Sequence, residues 1–156
     1  MSEQFRTQFL GDFGEYLLTW DLRSKYGINV SLVKIEGIDL LCRDEEGILF
    51  PKGEYVAISV KTRERRKDRI KESVTVNWDK IEKASLKWDA KPYISYIRIV
   101  AEGGIITFFL VPLSRARTYG KNFSVNRAEK EAKDMIFEMN FKGYSWLKDW
   151  EISHES

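Results

Sequence analysis

The chain has 156 residues, of which 43% are apolar and 32% charged, with 26 basic against 24 acidic side chains and a net charge of +2. This supports one compact domain with a substantial core, and the charge balance does not by itself point to nucleic acid. No apolar run is long enough for a membrane helix, and Met1-Ser2-Glu3-Gln4-Phe5-Arg6 lacks the apolar segment of a signal peptide.

A cytosolic protein is the simplest expectation. One cysteine, Cys42, excludes an internal disulfide and a cysteine-based zinc cluster, and the lone His154 excludes a multi-histidine site. Any metal is therefore expected to be a hard cation held by carboxylates.

Residues 3–26 read as a helix, with Ser2 as N-cap and Gly27 as its stop. Phe9, Phe13, Tyr16, Leu17 and Trp20 fall on one side of it. Gly11, Leu18 and Leu22 fall on the other, with Glu15 among them. Such a helix needs cover on both sides, from the sheet and from either later helices or a second subunit.

Residues 28–35 and 38–43 are predicted strands joined at Glu36-Gly37, and Asp44-Glu45-Glu46-Gly47 is a turn. Tyr55 to Arg63 is a third strand, whose near-continuous apolar run predicts cover on both faces. Asn77 caps a predicted helix from Trp78 to about Trp88, with Ile81, Ala84, Ser85 and Trp88 at helical spacing. Tyr93–Ala101 and Ile105–Val111 are two more strands around Gly103-Gly104. Asn126 and Glu129 mark the start of a last helix, to about Met139, and the aromatic segment Tyr144–Trp150 is expected to pack back. The order α-β-β-β-α-β-β-α predicts an α/β domain with a mixed central sheet. One domain is expected over 1–156, with a core at about 3–112 and a helical, aromatic extension after it.

Alternate side chains of a strand share a face, so Ser59 and Lys61 project together. If Asp39 opens the neighbouring strand, its carboxylate can lie beside them. Glu15 can add a second carboxylate from above the sheet edge. Two carboxylates suit Mg²⁺ or Mn²⁺, because Mg²⁺ takes few protein ligands. Lys61 could then orient a water or stabilise charge on a phosphate.

Gly14-Glu15, Gly37-Ile38-Asp39-Leu40-Leu41 and Ser59-Val60-Lys61-Thr62 together resemble the PD-(D/E)XK nuclease superfamily. The similarity is nearest to its archaeal Holliday junction resolvase and Mrr-like group and covers about the first 110 residues. It implies a restriction-endonuclease-like αβββαβ core and Mg²⁺- or Mn²⁺-dependent phosphodiester hydrolysis in DNA. It also implies metal ligation by Asp39 and Glu15, a catalytic Lys61 and a possible homodimer. Ser59 stands where the half-motif carries an acid, and Glu36 stands near its proline. A hydroxyl at 59 could still hold a water; Glu36, Asp12 or Glu64 could supply the absent carboxylate; or only the scaffold is retained. In the last case the chain is a DNA-binding module without catalysis, or a protein-interaction domain.

The run Arg63, Arg65, Arg66, Lys67, Arg69, Lys71 follows Lys61 directly, six basic residues against two acidic ones. Its placement predicts contact with nucleic-acid phosphates. Lys80, Lys83 and Lys87 form a second stripe, for which a solvated face is as good an account.

Overall fold

The computed structural model describes residues 2–66, 72–100, 102 and 104–140. In chain order these form α1 (Glu3–Tyr26), β1 (Asn29–Ile35), β2 (Ile38–Arg43), β3 (Tyr55–Glu64), β4 (Ser73–Val74), α2 (Trp78–Leu86), β5 (Lys91–Val100), β6 (Ile105–Pro112), α3 (Leu113–Ala116), β7 (Phe123–Ser124), α4 (Val125–Glu131) and β8 (Ile136–Asn140). Among the described residues the main sheet has six strands in the order β1-β2-β3-β5-β6-β8. β3 and β5 run parallel, joined by a crossover through α2, and the other neighbours are antiparallel. The expected αβββαβ order and mixed sheet are both present.

α1 begins where Ser2 accepts the Phe5 N–H at 3.2 Å and ends where Gly27 turns left-handed at φ +63. Leu18 and Leu22 are fully buried against the sheet, while Phe5, Phe9, Tyr16 and Trp20 face outward. Among the described elements, the sheet is what covers this helix. The second cover expected for its aromatic side does not come from another described element.

β3 is covered on both faces, as its apolar run predicts. Val56 and Ile58 join Leu18 and Leu22 in one buried cluster; Ala57 joins Ile81 and Ala84 of α2 in the other. α2 is capped by Asn77, which accepts the Lys80 N–H at 3.2 Å. It stops at Leu86, short of Trp88, which is exposed instead of packed. Cys42 is buried and its thiol is pushed up to about 12 by burial, so it is inert.

The segment after residue 113 differs from expectation. Ser124, not Asn126, caps α4, and the helix ends at Glu131. Asn126 Oδ1 accepts the backbone N–H of Glu72 at 2.7 Å. A 3-10 turn over Lys133–Met135 then leads into β8, which pairs with the free edge of β6. Phe137 stacks on Phe108 opposite it, with centroids 5.3 Å apart. The short pairing of β4 with β7 also lacked a sequence signal. Tyr144–Trp150 lies outside the described residues. No described helix is long and apolar enough to cross a membrane.

Candidate functional site

The site is built where β2 and β3 part. Their ladder pairs Leu40 with Ile58 and stops there. Strict alternation would place Ile38 and Leu40 on one face, yet Ile38 packs in the α2-side cluster and Leu40 in the α1-side cluster. The chain therefore rotates at Asp39. Its carboxylate lies in the gap, and Oδ2 accepts the Val60 N–H at 2.7 Å. Val60 separates Ser59 from Lys61, so Asp39 is anchored at the centre of that triplet.

Glu15 reaches the same place from α1. A side chain at Gly14 would overlap Thr62 Oγ1 and come within 2.9 Å of Thr62 Cβ. Glycine thus lets the helix press onto β3 one residue before Glu15. Glu15 is 8% exposed, and its Oε2 is buried without a hydrogen-bond partner. Burial, and next the Asp39 carboxylate, push the Glu15 carboxyl from 4.5 up to about 7.

The charge nearest this pair was missed from sequence. β1 carries a register shift between Leu32 and Ile35, and Lys34 within it has φ +43. The bulge directs the Lys34 ammonium to Asp12 Oδ1 at 2.8 Å and Glu15 Oε2 at 3.6 Å. Nothing in Val33-Lys34-Ile35 marks a bulge, so no sequence signal pointed to it.

Ser59 is buried opposite Ile94, on the α2 side with Ala57. Lys61 is half-buried and stands opposite Tyr96 on β5. Asp12 and Lys34 both act on the charge of Glu15. The structure thus brings Glu15 and Asp39 to the backbone between Ser59 and Lys61, while alternation along β3 sets these two residues on the face opposite Val60. Of the carboxylates that could replace an acid at 59, Asp12 is near Glu15. Glu36 instead pairs with Lys80 at 3.2 Å, and Glu64 has a partner of its own.

The start of the basic run is partly tied down. Arg63 Nη1 donates to Thr62 O at 2.8 Å. Arg65 Nε lies 3.3 Å from Glu72 Oε2, and its backbone N–H donates to Ile99 O at 2.9 Å. Buried Glu72 also accepts from Arg98 at 2.9 Å and from the Tyr96 hydroxyl. Arg65 therefore serves an internal clamp, whereas Arg66 is exposed. Lys67, Arg69 and Lys71 lie outside the described residues.

Among the described residues no group of three or more His, Cys, Asp or Glu gathers as a metal centre. The Glu15–Asp39 pair, with its unpartnered buried oxygen, is a hard-oxygen donor set that fits a cation keeping several waters.

No family model matches this chain, and no curated protein matches it. Among solved structures it is similar to Hjc, a Holliday junction resolvase from the archaeal hyperthermophile Archaeoglobus fulgidus. The TM-score is 0.50 and the identity 17%, over 74% of this chain and 82% of that one. At that identity the likeness shows the fold: a restriction-endonuclease-like α/β domain, its mostly antiparallel sheet flanked by helices.

Proposed function

We propose that this restriction-endonuclease-like chain is a DNA-binding nuclease that hydrolyses phosphodiester bonds with Mg²⁺ or Mn²⁺. The observation that supports it most is the meeting of Glu15 and Asp39 at the Val60 amide, beside Ser59 and Lys61. Asp39 and Glu15 would hold the cation. A divalent cation supplies charge neutralisation at the phosphate and lowers the pKa of water. Water adds to phosphorus, one ester P–O bond breaks, and a phosphomonoester and a hydroxyl are left. In this reading Lys61 would reach from the other face of β3 past the end of the β2–β3 ladder to stabilise charge on the phosphate oxygens or orient the water, and the Ser59 hydroxyl would stand as a neutral group where an acid is absent.

Arg63 and Arg66, with Lys67, Arg69 and Lys71, would hold the DNA backbone; Arg65 fixes the start of that segment through Glu72. The described residues at the site offer no base-reading element, so recognition in this reading follows shape and backbone. Branched DNA is the favoured substrate, because the structurally similar Hjc is a Holliday junction resolvase.

A homodimer is part of the reading. Phe5, Phe9, Tyr16 and Trp20 make one exposed helical stripe, with Tyr16 61% and Trp20 59% exposed. A two-fold pairing of α1 helices sets Phe5 against the partner's Trp20 and Phe9 against the partner's Tyr16.

One observation favours a second reading, DNA binding without cleavage: Ser59 stands in place of an acid, and among the described residues no third carboxylate groups with the pair as a metal set. The test is to incubate a labelled four-way junction, a duplex and a single strand with the protein, first in chelator and then with Mg²⁺ or Mn²⁺. Binding that falls with salt, at a log–log slope on the order of −4, followed by metal-dependent cleavage supports the nuclease. Binding alone selects the second reading. Absence of both sinks the nucleic-acid assignment.

A further inference from the structure

We propose that Lys34 is a positioning residue of the carboxylate site: its ammonium is a built-in counter-cation that yields Glu15 to an incoming divalent ion while staying tethered to Asp12. This rests on reading Glu15 and Asp39 as the metal-holding pair.

The placement of Lys34 is specific. A non-glycine residue at φ +43 is uncommon and costs conformational energy, and here it is the bulge of β1 that carries the lysine onto α1. The two contacts of the ammonium differ in kind. At 2.8 Å from Asp12 Oδ1 it makes a full charge-assisted hydrogen bond. At 3.6 Å from Glu15 Oε2 it is beyond hydrogen-bond length, and that oxygen is buried without any hydrogen-bond partner. Oε2 of Glu15 is thus balanced by charge without a hydrogen bond of its own.

The surroundings permit the exchange. The Lys34 side chain is 55% exposed and that of Asp12 40%, so the ammonium can withdraw toward Asp12 into water. A divalent ion brings twice the charge to the same oxygen. Lys34 therefore opposes metal entry weakly, and its bond to Asp12 survives the loss of the longer contact. Without metal, it keeps two neighbouring acids from facing each other uncompensated.

The experiment is a Mn²⁺ titration of the full chain followed by electron paramagnetic resonance, on the parent and on Lys34→Met, Lys34→Arg and Asp39→Asn. It is run at pH 8.5, with folding checked by thermal melting. Lys34→Met removes the charge at similar length and is expected to bind Mn²⁺ about fivefold more tightly, a gain discounted for solvent screening at this half-exposed site. Lys34→Arg keeps the charge and is expected to match the parent. A folded Lys34→Met that binds Mn²⁺ no better than the parent overturns the proposal, as does Lys34→Arg behaving like Lys34→Met. Asp39→Asn separates the two levels. If it binds Mn²⁺ like the parent, the carboxylate pair is not the metal site, and the role of Lys34 falls with it. If Mn²⁺ binding needs Asp39 but ignores Lys34→Met, only the role of Lys34 is lost.

Discussion

Asp39 accepts the backbone N–H of Val60 at 2.7 Å, in the gap where β2 leaves β3. A side-chain oxygen thus replaces the strand carbonyl that would normally close the ladder. The bond fixes Asp39 relative to Ser59 and Lys61 through the backbone between them. It also separates the structural role of Asp39 from its charge. An asparagine retains an acceptor oxygen for Val60, whereas an alanine leaves that N–H unpaired at a cost of about 1–3 kcal/mol.

The raised Glu15 carboxyl makes stability pH-dependent. Its value is 4.5 when unperturbed and about 7 in the fold, so the folded state holds the proton more tightly. Its contribution is fully present below pH 4.5 and is lost as pH rises through about 7. In melts from pH 4 to 9, the parent is expected to lose stability across that window, and Glu15→Gln to flatten that part of the profile. Equal slopes for both proteins would place the proton elsewhere. Metal binding by Glu15 should weaken as pH falls through the same window.

Gly14→Ala is expected to destabilise by about 1–3 kcal/mol, because the new methyl group overlaps Thr62. Thr62→Ala in the same chain removes the atoms it meets. A double-mutant cycle should therefore return a favourable coupling between the two positions. Simple additivity would mean that α1 does not press on β3 at this point.

Glu72→Ala leaves Arg65 and Arg98 without their buried carboxylate, although Arg98 keeps Glu129 at 2.7 Å. Breaking one side of a buried ion network costs about 3 kcal/mol, read as a lower midpoint in urea. The Tyr96 hydroxyl loses its acceptor as well. An unchanged midpoint would show that the clamp at the root of the basic run carries no stability.

The aromatic side of α1 is expected to hold two protomers together. Sedimentation velocity should find a dimer for the parent and a monomer for Trp20→Glu at the same concentration, with the melting profile of the monomer retained. A parent that sediments as a monomer at tens of micromolar would remove the dimer from the reading.

Much of this was legible in the chain because local chemistry agreed with the fold. Ser2 and Gly27 bound α1, Asn77 opens α2, and the apolar run of β3 marks a strand covered on both faces. Residues 136–139, expected as the end of the last helix, are strand because their place depends on the edge of β6, a distant partner with no local signature. At the site, strand parity groups Ser59 with Lys61, but parity cannot foresee where a ladder breaks. The rotation at Asp39 and the bulge at Lys34 are departures from regular pairing, and they decide which charge faces Glu15. Arg65 looked like its basic neighbours in sequence; only the return of the chain at Glu72 sets it apart.

The central claim is that Asp39 holds the cation for cleavage, and Asp39→Asn tests it most directly because it keeps an acceptor for Val60. The measurement is the initial rate of four-way junction cleavage in saturating Mn²⁺, for the parent and for Asp39→Asn of matched melting temperature. The account predicts cleavage by the parent and a loss of at least about a hundredfold in the variant, with junction binding in chelator retained. Cleavage by Asp39→Asn at the parent rate, or none by the parent despite tight binding, would contradict it.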